Sequence, residues 1–198
     1  MTTPIDTQRT SATAVKNVPL TYTQEAVWLA DRASRSSGPA YNELMAFRLT
    51  GEVQVDVLGH ALNRLVRRHE ALRTAVVETT SGLRAVVRAD VRDFFEVVDL
   101  RGHGAEVLSH AGELIAENYA RPFDLAEGEV LRALVVLVDD GVVVGLTIHH
   151  IATDGWSFSV IVDELGQDYR AMVESGKFAS LEEPAVTYSD YAAAMRRD

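Results

Sequence analysis

The chain predicts an α/β sandwich, with helices laid on a mostly antiparallel sheet, and three observations carry that prediction. Leu131–Val138 and Val142–His149 are apolar, β-branched runs separated by Asp139-Asp140-Gly141, the pattern of a buried antiparallel hairpin. Immediately downstream, Phe158, Ile161, Val162, Leu165, Tyr169, Met172 and Val173 recur at helical spacing. Upstream, strand-like and helix-like segments of similar kind succeed one another, so sheet and helices share a core.

Residues 1–16 are polar and Thr-rich without an apolar segment, so they read as a flexible leader and not as a secretory signal. Ordered structure is expected from Pro19-Leu20. Thr21-x-x-Gln24 is a capping-box pattern opening a helix through Ala26, Val27, Leu29 and Ala30 to about Ser34, which Ser36-Ser37-Gly38-Pro39 ends. Tyr41–Thr50 reads as a strand. Asp56 is placed to cap a helix whose apolar face is Leu58, Ala61, Leu62, Leu65 and Val66. Leu72–Glu78 and Leu83–Arg88 read as strands joined by the turn Thr79-Thr80-Ser81-Gly82, and Phe94–Val98 as a short strand. A helix carries Val107, Leu108, Ala111, Leu114 and Ile115 on one face and stops at Arg121-Pro122; Ser175-Gly176-Lys177 stops the long last helix.

Length and composition bound the function. The 198 residues suffice for one substantial core, and 47% hydrophobic with 24% charged residues is ordinary globular composition. No apolar run reaches membrane-spanning length. With no cysteine, the chain has no disulfide, thiol nucleophile or thiolate metal site. A net charge of −10 disfavours nucleic acid, which requires a basic face. A cytoplasmic protein is the expectation.

Chemistry concentrates in His149-His150-Ile151-Ala152-Thr153-Asp154-Gly155-Trp156-Ser157, where a strand ends and a helix begins. Such junctions are where α/β proteins place ligands. Neighbouring strand residues face opposite ways, so His149 and His150 do not address one substrate together. Asp154 either caps the helix or pairs with a cation, and Gly155 offers a backbone conformation closed to other residues. Opposed faces and the lack of a third clustered ligand count against a metal, and none is expected. A structural histidine pair beside a plain helix cap remains the competing reading.

The motif His149-His150-xxx-Asp154-Gly155, continued by Trp156-Ser157, resembles the HHxxxDG motif of the condensation domains of nonribosomal peptide synthetases. These are relatives of chloramphenicol acetyltransferase. Other segments agree in order. Leu20–Trp28 is similar to SxAQxRLWxL, with Gln24 and Trp28 matching and Ala26 where Arg is common. Tyr41-Asn42 and Leu49-x-Gly51 also fit. Arg68–Thr74 matches RHExLRT, and Pro122-Phe123-Asp124-Leu125 through Leu131-Arg132 resembles PFDLxxxPLLR. Tyr188-Ser189-Asp190-Tyr191-Ala192 resembles YxDYAxWQ, with Ala194-Met195 replacing Trp-Gln.

The resemblance implies the N-terminal lobe of a chloramphenicol acetyltransferase-like pseudo-dimer. Residues 17–180 would be that lobe, and 181–198 would start the connection to a C-terminal lobe. It implies amide formation between a carrier-bound acyl or peptidyl thioester and a carrier-bound aminoacyl acceptor. The 4′-phosphopantetheine arms of donor and acceptor carrier proteins would enter a tunnel between the lobes, and neighbouring synthetase domains would be partners. No cofactor is expected to bind directly. His150 would be catalytic, either removing the amine's proton or orienting the amine. His149, Asp154 and Gly155 would support the motif, Arg73 would pair with Asp154, and Trp156 and Ser157 would line the tunnel. Arg32, Arg35, Arg64 and Arg67 are candidates for a small basic carrier-docking patch. His149 excludes a cyclisation subtype, Trp156 argues against epimerisation, and no second HHx₄GD-like element marks a dual domain. Two other readings stand: a catalytically silent recruitment module, and an ester-forming carrier- or CoA-dependent acyltransferase. The 198 residues alone are expected to fold without catalysing.

Overall fold

The computed structural model describes residues 14–34, 39–89 and 94–197. The first elements are β1 (Ala14–Pro19), α1 (Tyr22–Ser34), β2 (Asn42–Thr50) and α2 (Val55–Arg68). Next come β3 (Thr74–Thr79), β4 (Gly82–Arg88), β5 (Phe95–Asp99) and α3 (Val107–Ala120). β6 (Leu131–Val138), β7 (Gly141–His149), α4 (Ser157–Ser175) and α5 (Tyr188–Met195) complete the described chain.

The strands form two sheets, ordered β1-β4-β3 and β2-β7-β6-β5. In the larger, the expected hairpin pairs Leu131 with Ile148 and Val138 with Gly141, and β2 lies antiparallel to β7, Asn42 opposite His149. The exception to antiparallel order is β5 on β6, and its cause is the intervening α3. A crossover helix returns the chain to the same end of the sheet, so the next strand runs parallel.

Each face of the larger sheet buries a different layer. Even-numbered residues of β7 (Val142, Val144, Leu146, Ile148) pack against Leu58, Ala61, Leu62 and Leu65 of α2 and Ile161 and Leu165 of α4. On the other face, Ala111 and Ile115 of α3 cover Leu134, Val136 and Val138. Gly145 permits that approach, because a Cβ there would lie 2.9 Å from Ile115 Cγ2. The smaller sheet meets α1 and the segment after α3 through Leu20, Trp28, Val76, Ala85, Phe123, Leu125, Val130 and Ile151. Ile151 follows the histidines directly, so the motif sits where the cores of the two sheets adjoin.

The capping box at the start of α1 is formed: Gln24 N–H donates to Thr21 Oγ1 (3.1 Å) and Thr21 N–H to Gln24 Oε1 (3.2 Å). Gly176 closes α4 with φ +69°, its N–H donating to the Met172 carbonyl. Several expectations are corrected. Among the described residues the strands form two sheets, not one. Strand β1 starts at Ala14, inside the stretch read as leader, because pairing with β4 recruits a short segment whose mixed residues show no clear alternation. Leu72 and Arg73 belong to a 3₁₀ turn, Glu70–Arg73, and not to the strand. Asp56 lies in the first turn of α2 without capping it; the cap position is Gln54. Residues 1–13, Arg35 and Ser36-Ser37-Gly38 lie outside the described residues.

Candidate active site

β7 ends at His149 and His150 follows it directly, and the two side chains leave on opposite sides of the sheet. His149 is 1% exposed. Its ring stacks with Tyr41 (centroids 6.3 Å apart, planes at 27°) and meets Phe123 edge-on at 6.0 Å. Nδ1 accepts the N–H of Ile151 (3.1 Å), and Nε2 lies 3.5 Å from Oδ1 of Asp31 on α1. A nitrogen that accepts a hydrogen bond carries no proton, so the neutral ring of His149 has its proton on Nε2, facing Asp31. His149 is thus packed, oriented and shut away from solvent.

The ring's surroundings are clamped in turn. Arg132, 5% exposed, places its guanidinium 3.8 Å from the Phe123 ring centroid. It donates to the carbonyls of Asn118 (3.1 Å), Pro122 (3.3 Å) and Arg121, and pairs with Glu129 (3.0 Å). Those carbonyls close α3, whose C-terminal end attracts a cation. Burial pulls the Arg132 pKa below the usual guanidinium value against the contrary pull of Glu129. Asn42 adds bonds to the Tyr119 (2.6 Å) and Arg121 (2.9 Å) carbonyls.

His150 faces the other way, with its side chain 40% exposed. It lies on the wall of a cavity of about 650 Å³ shared with Gln24, His69, Glu70, Asp154, Ser157 and Tyr188, among others. Its Nδ1 sits 2.8 Å from Glu43 Oε1, an ion-pair distance whose alignment falls short of a hydrogen bond's. The His150 N–H donates to the Tyr41 carbonyl (2.8 Å), pinning the backbone at the strand's end. Gln24 Nε2 donates to the Ile151 carbonyl (3.3 Å) and so ties the start of α1 to the motif.

Asp154 is a cap and makes no ion pair with Arg73. Its Oδ1 accepts the N–H of Trp156 (3.1 Å), the N–H of Ser157 (3.0 Å) and the Ser157 hydroxyl (2.8 Å). Ser157 Oγ reciprocally accepts the Asp154 N–H (3.0 Å). The Ser157 hydroxyl, then its N–H, hold the Asp154 carboxyl below the usual carboxylate range. Arg73 instead donates to the carbonyls of Arg67 (3.1 Å) and Arg88 (2.6 Å). The expected pair fails because Asp154 is exposed in a turn that supplies its partners locally, so no cation is required.

The backbone expectation for Gly155 changes as well, and the remaining candidates take definite places. Gly155 has no positive φ, and a Cβ there would meet nothing within 4 Å, so the backbone alone does not require glycine. Ser157 lines the cavity, whereas Trp156 is 81% exposed and stands outside its wall. Arg64 is engaged with Asp168 and the Ala179 carbonyl (2.9 Å), and Arg32 with Glu78 (2.9 Å) while lying over the Trp28 ring. Arg67 bonds Asn63 (2.8 Å), and Arg35 lies outside the described residues. Sequence reasoning passed over Asp31, Glu43, Thr153 and the clamp made by Arg132. Only Glu43 carried a local signal, a carboxylate in the inward row of a strand. Among the described residues no cluster of three or more His, Cys, Asp or Glu side chains is placed to hold a metal ion, and no helix is long and apolar enough to cross a membrane.

The condensation-domain family model matches residues 15–197. One of the linear gramicidin synthase proteins of Brevibacillus parabrevis is 34% identical over 179 residues, which are 89% of this chain and 4% of that protein. Another protein of the same synthase is 36% identical over 181 residues, 90% of this chain and 4% of its own length. The chain therefore spans a small fraction of these curated relatives. Among solved structures, the starter condensation domain of rhizomide synthetase superposes with TM-score 0.82 at 20% identity, covering 92% of this chain and 43% of that one. The first condensation domain of the calcium-dependent antibiotic synthetase gives TM-score 0.76 at 22% identity, covering 90% and 42%. At these identities the superpositions speak for the fold.

Proposed function

The chain belongs to the condensation-domain family, and on that premise we propose that it is the N-terminal lobe of a domain that forms amide bonds in nonribosomal peptide synthesis. The observation that carries this reading is the division between the histidines: His149 is sealed into the frame, and His150 alone of the pair opens onto the cavity. At about 650 Å³ the cavity lies within the range of small-molecule sites, which are roughly 300–1,000 Å³.

In the proposed reaction the acceptor's amine nitrogen attacks the carbonyl carbon of the donor thioester. A C–N bond forms, the C–S bond breaks, and the proton lost by nitrogen reaches the departing sulfur. His150 holds the amine and takes that proton, an office suited to imidazole near neutral pH. Both substrates would be carried on phosphopantetheine arms of partner carrier proteins. Gly155, exposed between the cavity-lining Asp154 and Ser157, would leave room for substrate beside the wall. The exposed Trp156 and the open side of the cavity would meet the second lobe, as the solved relatives are more than twice this chain's covered length. Half the reaction chamber would then come from that lobe, so the 198 residues alone are proposed to be inactive. Of the docking candidates, Arg67 bonds a neutral surface asparagine and best suits a weak contact with an acidic carrier. The setting would be cytoplasmic.

The test is product formation by the whole condensation domain given donor- and acceptor-loaded carriers, followed by mass spectrometry. Amide product from the wild type and at least a hundredfold less from His150→Ala is expected. Ester product with a hydroxyl acceptor, or carrier binding without product, would replace this reading with acyl transfer to oxygen or with recruitment.

A further inference from the structure

Glu43 breaks the pattern of its own strand. The inward row of β2 is Glu43, Met45, Phe47 and Leu49, and the three apolar members pack into the core under α2 and α4. Alternation asks for a fourth apolar side chain at 43. A carboxylate stands there instead, with its side chain only 27% exposed. Such a group requires partners, and its two oxygens divide between two. Oε2 accepts the Thr153 hydroxyl (2.9 Å), and Oε1 lies 2.8 Å from His150 Nδ1. The backbones are fixed as well, because Glu43 pairs with Ile148 and the His150 N–H bonds the Tyr41 carbonyl.

We propose that Glu43 is a positioning residue for His150: its carboxylate keeps the proton of the neutral ring on Nδ1 and leaves the Nε2 lone pair toward the cavity. Neutral imidazole has one N–H and one lone pair, and a carboxylate only accepts, so the nitrogen facing Glu43 carries the proton. Nδ1 is buried while 40% of the side chain is exposed, which puts the open edge of the ring away from Nδ1. When Nε2 takes a proton, the carboxylate lies beside the cation that forms, the office a carboxylate holds behind the histidine of a serine-hydrolase triad. Thr153 fixes the carboxylate in turn. Of the other acids on the cavity wall, Asp154 is occupied by its own cap and Glu70 by Lys16 (2.7 Å). The adjacent histidines thus stand in opposite tautomers, His149 with its proton on Nε2 and His150 on Nδ1.

The chemistry of this proposal rests on the amide-forming reading, but the tautomer does not, and the experiment separates them. Long-range ¹H–¹⁵N spectra of the 198-residue chain, at about pH 8.5 where ordinary imidazoles are neutral, report which ring nitrogen bears the proton. Glu43→Leu continues the apolar row and is expected to fold; Thr153→Val leaves the carboxylate in place but untethered. Expected are an Nδ1–H His150 in the wild type, its loss in Glu43→Leu and a mixture in Thr153→Val. Within the whole condensation domain, Glu43→Leu should lower kcat roughly tenfold to a hundredfold with KM for both loaded carriers unchanged. The same protonated nitrogen in wild type and Glu43→Leu, or a raised KM at unchanged kcat, overturns the proposal. If the wild-type domain forms no amide, the amide-forming reading falls and the spectra alone decide the positioning.

Discussion

His149 and His150 are chain neighbours with opposite surroundings. Around His149 the polar contacts are internal and the packing is aromatic: Tyr41 on one face, Phe123 at the edge, Asp31 at Nε2, an amide at Nδ1. Around His150 one edge is held by Glu43 and the remainder opens into a cavity. The difference teaches that a doubled histidine at a strand's end is two residues with two offices, assigned by which side of the sheet each meets. The face toward α3 and Phe123 is clamped. The face toward α2 and α4 ends in open space.

That contrast breaks most readily from the clamped side. Arg132→Met leaves three carbonyls at and just beyond the end of α3 without their donor, which is expected to lower stability by about 2–4 kcal/mol. Urea denaturation of the 198-residue chain measures it. The ring resonances of Phe123 and His149 should move while those of His150 hold still; movement confined to His150 would mean that the two sides are not separate.

On the cavity side the cap should matter less. Asp154→Ala removes the acceptor of two backbone amides and a hydroxyl, and a lost cap typically costs about 1 kcal/mol. The pH dependence has a definite sign. Because Asp154's carboxyl lies below its ordinary value in the folded chain, its contribution is complete above about pH 4, the unfolded value. It is lost as pH falls through the lower folded value. Denaturation of wild type and variant should therefore differ at pH 7 and converge in acid; a gap that widens in acid would assign the cap to another group.

The smallest effect on stability is predicted for Gly155→Ala. Neither its φ nor its surroundings exclude a methyl group, so thermal melts should agree within about 0.5 kcal/mol. Amide formation by the whole domain should fall all the same, since Gly155 is proposed to leave room for substrate beside the cavity. A large loss of stability would show that the backbone does need glycine there.

Much of this was legible in the sequence, for local reasons. The hairpin, the opposite faces of the histidines, the capping box at Thr21 and Gln24 and the stop at Gly176 each depend on a few consecutive residues. What was not legible depends on distant ones. Glu43 and Asp31 reach the histidines from elements more than a hundred residues earlier, and nothing in either segment names its partner. Arg73 and Asp154 stand in two prominent motifs, yet a turn supplied Asp154's partners locally and two carbonyls took Arg73. Strand β1 is short and of mixed composition, and pairing with β4 sets it, so hydrophobic periodicity passes over it. The parallel strand β5 follows from where α3 returns the chain, a property of packing and not of the strand's own residues.

The division of labour is tested most directly by unfolding His149→Ala and His150→Ala side by side in urea, in the 198-residue chain and under one set of conditions. His149→Ala is expected to lose about 3 kcal/mol, from a cavity among aromatic rings and an orphaned Ile151 amide. His150→Ala, on a half-open wall, is expected to lose less than about 1 kcal/mol. Equal losses, or a greater loss at His150, would contradict the assignment of one histidine to the frame and the other to the chemistry.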